Sequence, residues 1–187
     1  VALWVLIAIV GVVLLWMVAT YNRLIGLRNR TDNNWRQIDV QLKRRHDLIP
    51  NLVNTVRGAM EFERDTLTQV MEARARALSA TGPADAAKRE GELTQALGRL
   101  FALAENYPTL KANENVKMLQ DELASTENKV GFARQSYNDT ATQYNTAQQT
   151  FPTNLMAASF GFKTAELFEL ESQAERQVPT VDLSMRK

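Results

Sequence analysis

The chain has 187 residues, 45% hydrophobic and 23% charged, with 22 basic and 21 acidic side chains. That suits one folded domain, and a net charge of +1 offers no global field for nucleic acid, so no nucleic-acid partner is expected. Cysteine is absent, which excludes disulfides, thiolate metal ligands and cysteine nucleophiles, and a single histidine, His46, excludes any His–His metal pair.

The apolar residues are unevenly placed. Residues 1–19 are all apolar, with one glycine, Gly11, and no charge precedes Arg23. As a helix this block is roughly 28 Å long, close to the hydrocarbon thickness of a bilayer. A cleaved signal peptide would end in small residues, whereas this block ends in Leu15-Trp16-Met17-Val18-Ala19-Thr20-Tyr21 and its helical pattern runs on into Leu24 and Leu27. An uncleaved anchor over residues 1–20 is therefore expected, with Leu3, Trp4, Ile7, Val10, Leu14 and Trp16 facing lipid and Trp16 and Tyr21 suited to the interfacial aromatic belt. Gly11 has no small residue four positions away, so the small-xxx-small route to helix pairing is not encoded. Beyond the anchor, Arg23, Arg28, Arg30, Arg36, Lys43, Arg44 and Arg45 stand against Asp32 and Asp39. This excess favours an inner-membrane protein whose body stays on the cytoplasmic side. Val1 is not a start residue, so further residues are expected upstream, and basic ones there would compete with this bias.

The body, residues 21–150, is expected to be all-α. Pro50, Pro83, Pro108, Pro152 and Pro179 punctuate segments rich in Ala, Leu, Gln, Glu and Arg, and no β-branched alternation points to a strand. The first helix carries Leu24, Leu27, Thr31, Trp35, Ile38 and Leu42 at helical spacing, to about Asp47. A second, about residues 48–80, aligns Val53, Val56, Met60, Leu67 and Val70. Residues 81–85 form a loop in which Asp85 suits an N-cap for a third helix, about residues 86–107. A fourth, about residues 116–149, carries an unbroken 3–4 seam from Val116 through Leu119, Leu123, Thr126, Val130, Ala133, Tyr137 and Thr140 to Tyr144. Four long helices with narrow coiled-coil-like seams predict an antiparallel up-down bundle continuing from the anchor. A hairpin at Pro50 is favoured, the alternative being one bent rod through Pro50.

Helix parity then returns the chain to the bilayer near Thr150. Residues 151–187 begin with an uncharged run to Phe162, in which Phe151, Leu155, Met156, Phe160 and Phe162 are large and apolar. This run either meets the membrane interface or a second subunit, or caps the open end of the core. Thr164–Gln177 reads as a short amphipathic helix and Pro179–Lys187 as a tail.

Two charges interrupt the second stripe. Glu63 and Arg74 are too far apart along one helix to meet, so each either finds a partner on a neighbouring helix or lies at the stripe's edge with its head in water. Glu127, Arg134, Thr126 and Thr140 are the candidate partners. His46 beside Asp47 has no nucleophile arranged around it, the eight glycines are scattered rather than gathered in a phosphate loop, and no metal or cofactor is expected.

These residues also carry a family pattern. Tyr21-Asn22-Arg23-Leu24, Leu27-Arg28-Asn29 and the run from Gln37 through His46-Asp47-Leu48-Ile49-Pro50-Asn51 to Val53 belong to it. So do Glu72-Ala73-Arg74-Ala75, Tyr107-Pro108-Thr109-Leu110-Lys111, Leu119-Gln120-Asp121-Glu122-Leu123, Ala133-Arg134 and Tyr137-Asn138. The chain resembles the bacterial LemA family over nearly its whole length. The resemblance implies a membrane-anchored helical body without established catalytic residues, and suggested links of relatives to a membrane metalloprotease and to membrane remodelling. The leading expectation is a non-enzymatic scaffold or adaptor that self-assembles into a homo-oligomer on the lipid bilayer. The alternative is an accessory or substrate-presenting subunit of a membrane protease or another envelope enzyme, with that membrane protein as partner.

Overall fold

The structure, a computed structural model, describes residues 1–169. Helix α1 (Ala2–Val56) is followed by a single 3-10 turn (Glu61–Glu63), α2 (Arg64–Leu78), α3 (Gly82–Ala104), a one-turn α4 (Pro108–Lys111), α5 (Glu114–Gln149) and α6 (Thr153–Ser159). No strand occurs among the described residues. The fold is all-α, as the proline punctuation and helical spacing predict.

Helix α1 runs without a break from the apolar block through the polar body, and Pro50 lies inside it. The favoured hairpin at Pro50 is therefore corrected: the chain turns at residues 57–60, and Leu48, Val53 and Val56 belong to α1 rather than to a second helix. The buried stripe Val53, Val56, Met60, Leu67 and Val70 survives, but it is shared by two helices and the turn between them. A proline inside a helix frees the carbonyl four residues earlier, because it has no N–H to offer. Here that carbonyl is His46 O, and the Arg74 Nε of α2 donates to it at 2.6 Å.

The α2–α3 connection is tight. Gly82 has φ +81°, a left-handed conformation that suits glycine, and Pro83 follows in the first turn. Helix α3 thus starts at Gly82, earlier than the sequence suggested, and Asp85 lies inside it, its carboxylate accepting from the Thr81 N–H at 3.0 Å. At the start of α5, the Asn113 side chain accepts from the N–H groups of Asn115 and Val116.

Helix α5 packs antiparallel along α1, and α2 packs on α3. At the distal end all four join in one core around Ile49, Leu52, Val56, Val70, Leu93, Leu100 and Leu119. Helix α2 has only 15 residues, so it turns back well short of residue 21. Nearer the apolar block, α1 and α5 run as a pair whose shared groove is filled from the C-terminal side.

The filler is extended chain. Residues 162–169 carry no helix, so the amphipathic helix expected from Thr164 is corrected over residues 164–169; the rest of that segment and the tail after Pro179 lie outside the described residues. The physical reason lies in α5. Asn145 donates to Ala165 O at 2.9 Å and accepts from Ala165 N–H at 2.8 Å; Asn138 does the same for Phe168, at 3.0 and 2.9 Å. Seven helical residues and three extended ones both span about 10 Å, so the two amides match the segment's rise. They supply the backbone hydrogen bonds that a helix would make internally. Phe168, 1% exposed, then closes a second core with Ile38, Leu42, Ala87, Val130 and Tyr137, its ring 6.1 Å from Trp35.

Candidate functional site

Two places stand out: a buried polar cluster against α1 near Pro50, and the end of the body beside the apolar block.

The cluster is assembled from α1 and α3. Glu90 is 2% exposed; one carboxylate oxygen accepts from Arg45 at 3.0 Å and the other lies 2.5 Å from His46 Nε2. Arg45, itself buried, also donates to Thr94 Oγ1 at 2.8 Å and lies 3.5 Å from the exposed Glu127 of α5. Consecutive residues of one helix thus hold both oxygens of a single carboxylate, which fixes α3 on α1 in one register. All three groups are sealed from solvent and both oxygens of Glu90 are held by α1, so the arrangement acts as a clamp between the two helices. Among the described residues no group of His, Asp and Glu is placed to hold a metal ion.

The four charges singled out in the sequence do not form one network. Arg74 bonds to His46 O of α1, and Glu127 meets Arg45. Glu63, half-buried, accepts from the Tyr107 hydroxyl at 3.3 Å. Desolvation first, then the charge and hydrogen bond of Glu63, hold that hydroxyl above the ordinary phenol range. Arg134 is half-buried on α5 and forms no ion pair with Glu63 or Glu127. Thr126 and Thr140 bond to carbonyls of their own helix, and Thr140 also accepts from Asn34 Nδ2. Sequence reasoning missed the partners of Arg74 and Glu90. The signal for Arg74 was Pro50 itself, whose missing N–H leaves a carbonyl in need of a donor.

Tyr137 ties the second core together. Its hydroxyl donates to Glu166 O at 2.6 Å and its ring stands 5.6 Å from Trp35. Burial, then Glu166 and Asp32, push its pKa up to about 12. Tyr144 is also raised, by burial and by Asp32, against an opposing pull from Arg28.

At the other end, the side chains of Leu3, Trp4, Ile7, Val10 and Leu14 are exposed, as are Trp16 and Tyr21 at 38% and 37%. The α1 helix is long and apolar enough there to cross a membrane. Cover begins where the block ends: Met17 is half-buried, and Thr20 and Leu24 are buried. Helix α6 packs on α1, and the Tyr21 ring lies 5.1 Å from Phe160 and 5.8 Å from Phe162. Met156 faces inward, whereas Phe151, Leu155 and Phe160 are 75%, 60% and 56% exposed. At the opposite, distal tip, a groove of about 640 Å³ lies among Val53, Met60, Leu67, Met71, Arg57 and Arg64, and Phe62 nearby is 94% exposed.

The model of the LemA family matches residues 34–183. Magnetosome protein MamQ 2 of Paramagnetospirillum magneticum is 25% identical over 189 aligned positions, covering 87% of this chain and 70% of that protein. Magnetosome protein MamQ of Magnetospirillum gryphiswaldense is 23% identical, covering 86% and 68%. Protein LemA of Metamycoplasma hominis is 24% identical, covering 93% of this chain and 80% of its own length. With most of its helical body inside the family match, this chain belongs to the LemA family.

Proposed function

We propose that the chain is a non-enzymatic, single-pass membrane protein whose helical body is a scaffold or adaptor, self-assembling laterally on the bacterial membrane. The observation that carries the reading is the continuity of α1. One helix of 55 residues joins the exposed apolar block to both cores with no linker between them. An anchor built this way transmits the orientation of the body directly to the bilayer, which suits a protein that works by presenting surfaces. Exposed Val40 on α1 and Met118 and Phe132 on α5 supply apolar contact area on the sides of the body. The sealed Arg45–His46–Glu90 clamp supports a structural rather than catalytic use of the one imidazole. In this reading the body stands on the cytoplasmic side of the inner membrane, supported by the basic excess of residues 23–45.

Mass measurement of the detergent-solubilised full chain tests the scaffold. A closed homo-oligomer, disrupted by Phe132→Asp or Val40→Asp, is the expected result. A monomer that crosslinks to a different membrane protein in native membranes would replace the scaffold with an accessory subunit.

A further inference from the structure

We propose that α6 and the preceding turn form a second membrane contact, lying in the interfacial layer with Phe151, Leu155 and Phe160 among the lipids. The inference rests on the reading that α1 crosses the bilayer.

Depth is the first argument. The apolar block ends at residue 19, and the Tyr21 ring of α1 meets Phe160, which caps α6, and Phe162 just beyond it. With 1.5 Å rise per helical residue, this puts α6 within about 5–10 Å of the hydrocarbon edge, the depth at which interfacial helices lie. Charge is the second. From Thr140 to Phe162 the chain carries no Asp, Glu, Lys or Arg, so the whole end of α5 and all of α6 can enter the headgroup layer without burying an ion. Facing is the third. Met156 and Ala157 are buried, while Phe151, Leu155 and Phe160 are exposed, as are the large side chains of the apolar block of α1. Arg23, one helical turn above the block, lines a shallow groove with Thr146, Thr150 and Thr153, placing a cation and hydroxyls at the level of lipid phosphates. Two separated contacts with one bilayer hold the body at a fixed tilt, which a single helix does not.

The absence of cysteine makes the test direct. Full-length Leu14→Cys, Leu155→Cys, Phe151→Cys and, at the distal tip, Phe62→Cys variants each take a single environment-sensitive fluorophore and are reconstituted into phosphatidylcholine–phosphatidylglycerol vesicles carrying nitroxide-labelled lipid. Emission at positions 155 and 151 is expected to be lost to the nitroxide as at position 14, while position 62 keeps its emission. If 155 and 151 behave like 62 while 14 is quenched, the second contact is refuted and the anchor stands. If 14 also keeps its emission, the anchor reading falls and takes this inference with it. Label-to-label quenching at 155 without quenching by lipid would hand the surface to a second copy and overturn the lipid assignment.

Discussion

The Pro50–Arg74 pair can be weighed by a double-mutant cycle. Arg74→Leu removes the Nε–H that reaches His46 O at 2.6 Å, and Pro50 has no N–H to take its place. A hydrogen bond from a charged donor contributes about 1.5–3 kcal/mol, and an unsatisfied buried acceptor costs about 1–3 kcal/mol; these describe the same loss and are not summed. The leucine recovers part of it, since the arginine stem is already packed and an aliphatic side chain fits the stripe, so the expected net cost is about 1–2 kcal/mol. Pro50→Ala restores a helical N–H four residues after His46, and the carbonyl regains a partner within α1. In that background Arg74→Leu is expected to cost less than about 0.5 kcal/mol, giving a coupling energy of about 0.5–2 kcal/mol. The assay is chemical denaturation of the full chain in detergent, followed by circular dichroism. Equal costs of Arg74→Leu in the parent chain and in the Pro50→Ala background would refute the account. So would an Arg74→Leu variant more stable than the parent.

Other substitutions probe the remaining contacts. Glu90→Ala strands a buried guanidinium, for which about 3–5 kcal/mol is typical; Thr94 and Glu127 remain beside Arg45, so about 3 kcal/mol is expected in the same denaturation assay. Asn145→Ala or Asn138→Ala removes two hydrogen bonds to the extended segment and is expected to cost about 1–3 kcal/mol, with hydrogen exchange at Ala165 and Phe168 accelerating before any loss of helix signal. Stability should be complete, as far as Tyr137 is concerned, below pH 10, and fall as the pH rises towards about 12. In that window the unfolded phenol ionises while the folded one keeps its proton, so the folded state binds more protons. Tyr137→Phe is expected to flatten this fall in a melting series over alkaline pH, and an unchanged slope would show that the hydroxyl does not titrate with unfolding.

The family resemblance, the all-helical fold and the apolar block were legible in the sequence because each rests on local chemistry: helical spacing, proline punctuation and an uninterrupted run without charge. The α5 seam was legible for the same reason: Val116, Leu119, Leu123, Thr126, Val130, Tyr137 and Tyr144 are buried, whereas Ala133 and Thr140 are only half-buried and Ala141 is buried beside them. What the sequence could not decide was whether Pro50 ends a helix. Taken alone a proline disfavours continuation; packing of Ile49, Leu52, Val53 and Val56 into the distal core carries α1 through Pro50, and Arg74 of α2 supplies the donor that Pro50 lacks. The same holds for residues 162–169. Their local pattern reads as helix, but two asparagines seven residues apart on α5 offer hydrogen bonds to an extended backbone, and the pocket around Trp35 takes Phe168. Glu90, embedded among helix formers, looks from its neighbours like one more solvated carboxylate, until α3 is laid against Arg45 and His46. Local preference sets which segments coil; where a polar group's missing partner lies on another element, the packed chain alone determines the outcome.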